Sequence, residues 1–154
     1  MIELNELGYL MPVKKIEVTL EEVLEFSNDI KSDTREFLSD NLETLINYLT
    51  KNTSHPCHIW IHGSYATTKA NPGDIDIKVF LHKEDNEKLM EYIVEMYANK
   101  ERFSMDIDFH KFNLINLSGY DEALVKSLES LALNRTLNNE LREKVSGYFQ
   151  INLL

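Results

Sequence analysis

The sequence predicts an α+β fold in which a small mixed β-sheet packs against helices. Three observations carry that expectation. Apolar residues recur at helical spacing over two early segments and one central segment. Two short segments, His55 to His62 and Asp74 to Leu81, read as strands, the second alternating polar and apolar residues as far as Val79. The elements come in the order helix, helix, strand, strand, helix, strand, helices, which suits a sheet covered by helices.

The N-terminal segment to about Val18 reads as irregular or as a short strand. Thr19 followed by Glu22 has the form of a capping box before Val23, Leu24 and Phe26, so a helix is expected to about Ile30. Asp33 can cap a second helix, with Phe37, Leu38, Leu42, Leu45, Ile46 and Leu49 on its apolar side. His55 to His62 reads as a buried strand, Asn71-Pro72-Gly73 as a turn and Asp74 to Leu81 as the next strand. Residues from about Asp85 to Asn99, with Leu89, Ile93, Val94 and Met96, read as a helix. Phe103 to Phe112 is expected as a third strand. Asp121 to Leu133 and Thr136 to Phe149 are expected as two closing helices.

A chain of 154 residues without an internal repeat or linker is read as a single domain, 1–154. Its parts are N-terminal helices over about 19–50, a core over about 55–112 and C-terminal helices over about 121–149. Hydrophobic residues make up 43% and charged residues 27%, the balance of a soluble globule. The lone cysteine, Cys57, excludes an internal disulfide and agrees with a reducing compartment. No apolar run approaches a membrane span, and the acidic N-terminus lacks the form of a signal peptide. A cytoplasmic protein without membrane contact is therefore expected. The net charge of −10 disfavours a long nucleic-acid partner, which normally requires a basic stripe.

The chemistry is concentrated in Ile61 to Phe80. Residues two apart on a strand share a face, so Asp74 and Asp76 are expected to project together, with Lys78 on the same side. By the same rule Asp106 and Asp108 project together on the later strand. Neighbouring strands would bring these carboxylates onto one patch, where like charges raise one another's pKa values. A divalent cation reverses that effect, and magnesium prefers such oxygen ligands. Gly63-Ser64 follows a buried strand directly, where glycine allows close backbone approach to an anion. Ser64 could donate to a phosphate oxygen, and Lys69 could add positive charge. Tyr65 is a candidate to stack on a base. A P-loop is absent. His55, Cys57, His58 and His62 invite a zinc reading, but alternation puts Cys57 opposite His58 and His62, against one tetrahedral site. Cys57 reads as an inert core residue.

An apolar strand, Gly63-Ser64, nine intervening residues and then Asp74-Ile75-Asp76-Ile77 resembles the signature of the DNA polymerase beta-like nucleotidyltransferase superfamily. The resemblance spans about Trp60 to Phe109. The segment Leu4 to Leu10, with Thr19 to Glu22 after it, looks like the start of small, largely uncharacterised, stand-alone nucleotidyltransferase-like proteins. The resemblance implies the nucleotidyltransferase fold and transfer of a nucleoside monophosphate from a nucleoside triphosphate, ATP among them, to an acceptor hydroxyl, with pyrophosphate released. It implies Mg2+ or Mn2+ held by Asp74, Asp76 and Asp106. Asp106 would also help to deprotonate the acceptor, and is preferred to Asp108 because it follows Met105 nearer the strand's start. Gly63 and Ser64, with Tyr65 and Lys69, would hold the nucleotide. One departure stands out: minimal bacterial members often read Gly-Ser-x-Ala-Arg-Gly, whereas Thr67-Thr68-Lys69 follow Ala66 here. The setting implied is a toxin–antitoxin or defence system. The acidic chain favours a protein or small-molecule acceptor over tRNA or another RNA end, and leucine-rich closing helices could serve a homodimer or a partner protein. A non-catalytic nucleotide-sensing or interaction module on the same fold is the alternative.

Overall fold

The computed structural model describes residues 2–98, 107–118, 126–127 and 146–153. Three short strands open the chain: β1 (Glu3–Leu4) pairs antiparallel with β2 (Leu10–Met11), and β3 (Lys15–Glu17) joins the main sheet. The Asn5 side chain accepts from Leu7 N and Tyr9 N, which tightens the turn between β1 and β2.

The expected capping box starts α1 (Leu20–Asn28). Thr19 Oγ1 accepts from Glu22 N, and Glu22 Oε1 accepts from Thr19 N, both at 3.1 Å. α2 (Asp33–Asn52) is capped by Ser32, one residue before the expected Asp33. Its Leu38, Leu42, Leu45, Ile46 and Leu49 are buried as the periodicity requires, while Phe37 lies 49% exposed. β4 (Cys57–His62) and β5 (Ile75–Leu81) match the expected strands to within two residues, and α3 (Lys83–Ala98) follows. On α3, Leu89 and Met96 are buried and Val94 is exposed.

Two expectations are corrected. Of the strand anticipated over Phe103–Phe112, residues 103–106 lie outside the described residues and 107–111 are not strand: a 3-10 turn at Phe109–Lys111 leads into β6 (Phe112–Ser118). Asp108 caps that turn by accepting from His110 N at 3.0 Å, a local bond of the kind that competes with strand pairing. The end of the anticipated last helix is β7 (Tyr148–Leu153). Alternation is visible there, with Phe149 and Ile151 facing the helices and Tyr148, Gln150 and Asn152 on the other side. Apart from residues 126–127, 146–147 and this strand, the two closing helices expected over 121–149 lie outside the described residues.

The main sheet has the order β3-β7-β4-β5-β6. β3 runs parallel to β7, β7 antiparallel to β4, β4 antiparallel to β5 and β5 parallel to β6. One face carries Ile59, Ile61, Ile75, Ile77, Val79, Phe149 and Ile151, and packs with the apolar sides of α1, α2 and α3 into the main core. The other face carries a smaller cluster of Trp60, Phe80 and Tyr148, with Leu117 against it. Trp60 Nε1 donates to Gln150 Oε1 at 2.8 Å, satisfying a fully buried indole. The face opposite the helices is thus apolar at its centre and polar at one end, where Asp76 lies.

Arg35 of α2 is 1% exposed. Its Nε donates to Lys69 O at 2.7 Å, one terminal nitrogen to Tyr65 O and Ser27 Oγ, and the other to Ser64 O and Thr67 O. Five acceptors meet the five N–H groups of a guanidinium, and four of them are carbonyls of one loop. Burial lowers the Arg35 pKa, and the neighbouring Tyr65 opposes that shift. Substituting Arg35 with methionine should destabilise the protein by at least about 1–3 kcal/mol, because the loop carbonyls it binds lose their donor and each buried unsatisfied group carries a cost of that order. Arg35→Lys should recover little of it, because an ammonium cannot span the fork. Urea unfolding followed by circular dichroism measures both.

Candidate functional site

β4 ends in His62, and Gly63 turns the chain away from the sheet. Gly63 has φ 74° and ψ −162°, a conformation open essentially to glycine alone. The antiparallel register pairs His62 with Asp76, so the turn lands directly on the Asp76 side chain. A Cβ added to Gly63 would lie 2.1 Å from Asp76 Oδ2. The glycine is therefore required by its backbone angles and by the aspartate beside it. The two halves of the sequence motif, twelve and more residues apart in the chain, meet through this one register.

Asp76 is half-buried, and its Oδ1 accepts from Asn113 Nδ2 at 3.0 Å. Asn113 is the residue of β6 that stands opposite Asp76 in the parallel pairing. His62 and Lys78 lie on the same face, with Lys78 Nζ 3.2 Å from His62 Nε2. Asp74 is half-buried in the bend that leads into β5.

After the turn, Ser64–Ala66 form a 3-10 turn closed by Ala66 N to Gly63 O. The loop is held on two sides. Arg35 binds its carbonyls, and the N-terminal segment binds its outer strand: Thr68 N donates to Gly8 O at 3.0 Å, and Tyr9 bridges Thr67. Gly8 has φ 82°, and a Cβ there would lie 1.8 Å from Thr68 Oγ1. The Leu4–Leu10 segment thus braces the loop.

Tyr65 corrects an expectation. It is fully buried, with Arg35 over its ring at 5.3 Å and its hydroxyl 2.8 Å from Ser39 Oγ. Burial raises its pKa, against the opposing effects of Ser39, Ser27 and Arg35. A ring enclosed in this way has no face for a base. Ser64 is half-buried and Lys69 is exposed, so both side chains remain on the outer part of the loop.

Asp106 lies outside the described residues. Asp108 is placed by α2, with its N donating to Asn41 Oδ1 and its O accepting from Asn41 Nδ2, at 2.9 and 2.8 Å. Asp108 thus precedes β6, and the β6 residue at the register position facing Asp76 is Asn113. Among the described residues, Asp74, Asp76 and Asp108 do not come together as a three-ligand group. Asn113 was missed because the third strand starts nine residues later than expected, and its pairing partner cannot be read from local alternation. Cys57, expected to be inert, is buried, and burial chiefly pushes its thiol up to about 11, far from a reactive thiolate.

The chain belongs to DUF6932, a family of unknown function, whose pattern matches residues 2–148. No curated protein and no solved structure matches it.

Gly63→Ala should destabilise the protein by roughly 1–3 kcal/mol from backbone strain alone, with a further cost from the clash. In an Asp76→Ala background the same substitution should cost measurably less, because the clashing carboxyl group is gone. Urea unfolding of the four proteins gives the coupling energy.

Proposed function

We propose that the protein is a metal-dependent nucleotidyltransferase whose donor site is built by Gly63, Ser64, Asp74 and Asp76. The observation that carries the reading is the contact of the Gly63 turn with Asp76 across β4 and β5. A phosphate-approach turn and a carboxylate on adjacent strand ends form one small site, which neither motif makes alone.

The donor set fits magnesium or manganese, which take carboxylate oxygens and keep positions for water and phosphate. Asp74 and Asp76 would hold the ion; when bound, it would supply charge neutralisation of the triphosphate and stabilise the oxygens of the displacement. The chain's own groups do the positioning. Asn113 fixes the Asp76 carboxylate by donating to Oδ1, leaving Oδ2 toward Gly63. Gly63 lets the backbone turn tightly against Asp76, so a phosphate on an ion held there would lie beside the turn. The Ser64 hydroxyl would donate to a phosphate oxygen, and Lys69 would add positive charge from the exposed rim. Arg35 is saturated by loop carbonyls and serves as a brace, with no donor left for a ligand. Asp106 is the proposed acceptor of the attacking hydroxyl's proton. A new bond forms from that oxygen to the α-phosphorus as the α–β bridge breaks and pyrophosphate departs. The net charge of −10 favours a protein or small-molecule acceptor over RNA.

One observation favours a second reading. An amide, Asn113, stands opposite Asp76 where a third carboxylate would complete a two-ion site. A module that binds a metal–nucleotide pair without transferring it needs only the two aspartates and the turn.

The protein should be incubated with magnesium or manganese, labelled nucleoside triphosphates and a cell lysate. Label on an acceptor with pyrophosphate release is expected, lost in Asp76→Ala while circular dichroism stays unchanged. Transfer that survives unaltered in Asp76→Ala would overturn the assignment. Thermal stabilisation by the metal–nucleotide pair without pyrophosphate release would select the second reading.

A further inference from the structure

The opposite end of the β4–β5 pair carries a different group of side chains. His55 precedes β4, His82 follows β5, and Glu84 lies in the first turn of α3. Antiparallel pairing brings the two flanking histidines together, and their rings stack at 3.8 Å with 16° between planes. One ligand atom from each of His55, His82 and Glu84 lies within 4.8 Å of the others. From Asp76 to His82 is six residues, about 20 Å along a strand at about 3.4 Å per residue, so this group is separate from the Gly63 turn.

We propose that His55, His82 and Glu84 form a binding site for a divalent transition ion of the zinc type. Two imidazoles and a carboxylate are a borderline-soft donor set that suits zinc and disfavours magnesium. Three protein ligands leave a fourth position for water. A tetrahedral ion with bonds of about 2.0–2.1 Å needs its ligand atoms about 3.3 Å apart. The group therefore has to close by about 1.5 Å at most, and the His82 ring has to turn out of its stack on His55 so that both in-plane lone pairs meet one ion, which the exposed side chain of Glu84 and the part-exposed imidazoles allow.

A neighbouring residue carries the proposal beyond proximity. The Asp85 side chain is wholly buried, and His55 Nδ1 lies 3.4 Å from its Oδ2. That nitrogen is itself buried and makes no aligned hydrogen bond. Asp85 also accepts from Ser54 N at 2.9 Å and His55 N at 3.1 Å, so the carboxylate is locked in place. A fixed carboxylate behind Nδ1 would hold the proton there and present Nε2 outward as a ligand, the arrangement that orients metal-binding histidines. Glu84 and Asp85 together supply two negative charges against the two positive charges of the ion. They also counter the positive end of α3. His82 Nδ1 accepts from Glu84 N at 3.3 Å. An ion on Nδ1 would displace that long bond, and an ion on Nε2 would shift the proton to Nδ1 and break it. Bound metal would tie the α2–β4 connection to the β5–α3 connection.

The test uses untagged full-length protein stripped with a chelator, then dialysed against zinc, with cobalt(II) as the optical probe. One zinc per chain and a cobalt visible band are expected, unaffected by excess magnesium. Both should persist in an Asp74→Ala, Asp76→Ala double variant. Asp85→Asn should weaken zinc by about 10–100-fold, the usual effect of removing an orienting carboxylate, with the circular dichroism spectrum retained. His82→Ala and Glu84→Gln should lose at least as much. Glu84 is exposed, so its variant keeps the test decisive if His82→Ala fails to fold. Absence of zinc binding in the parent protein would overturn the proposal. So would binding that survives Glu84→Gln unchanged or disappears with Asp74 and Asp76.

Discussion

The Arg35 guanidinium is the contact on which the loop geometry depends. A loop of twelve residues, 63–74, that leaves the sheet at a glycine has many conformations, and most of them would move Ser64 and the turn away from Asp76. Four inward carbonyls converge on one buried cation, which selects a single loop conformation. The cation has no carboxylate partner among its hydrogen bonds, so carbonyl dipoles and the faces of Tyr65 and Phe26 offset its burial. Ser27, Ser39 and Tyr65 continue the network into α1 and α2. Helix packing and loop shape are therefore one problem, solved by one residue.

The antiparallel β4–β5 pair places its two ends in different chemical settings. Its helix-facing side is apolar, with Ile59, Ile61, Ile77 and Val79, while on the other side Trp60 and Phe80 pair with Lys78 and His58. Further polar residues gather at the two ends, where the chain turns. At one end the turn delivers Gly63 to Asp76, and at the other the flanks deliver His55 to His82. A rigid, buried pair is a sound base for both, because sites built on strands hold their geometry better than sites on loops.

Local signals were legible in the sequence and long-range ones were not. The Thr19–Glu22 capping box, the α2 apolar stripe and the alternation through Asp74–Leu81 depend on neighbours in the chain, and they appear as expected. The spacing of Gly63-Ser64 from Asp74-Asp76 was legible, whereas the antiparallel register that brings Gly63 onto Asp76 was not. Arg35 was not, since an arginine on an amphipathic helix reads as solvent-facing until the loop that buries it is known. β7 was missed although Tyr148–Leu153 alternates, because its place between β3 and β4 depends on partners over eighty residues away. Tyr65 misled for a related reason: its position beside the turn says nothing about which side of the loop it occupies. Asn113 is visible only through the β5–β6 register, which local alternation does not encode.

That amide shapes the electrostatics of the candidate site. A carboxylate opposite Asp76 would add a third negative charge within hydrogen-bond reach, and each charge would raise the pKa of the others unless cations were always present. An asparagine at the same place donates to Asp76 Oδ1 and fixes that side chain without adding charge. In the proposed reading, two aspartates would then bind one ion with its triphosphate. A second ion would need a further carboxylate brought in from another segment. In a chain of net charge −10, keeping the fixed charge of the site low also limits the repulsion that an incoming triphosphate must overcome. The nucleotide would then arrive with its own metal and complete the site as it binds.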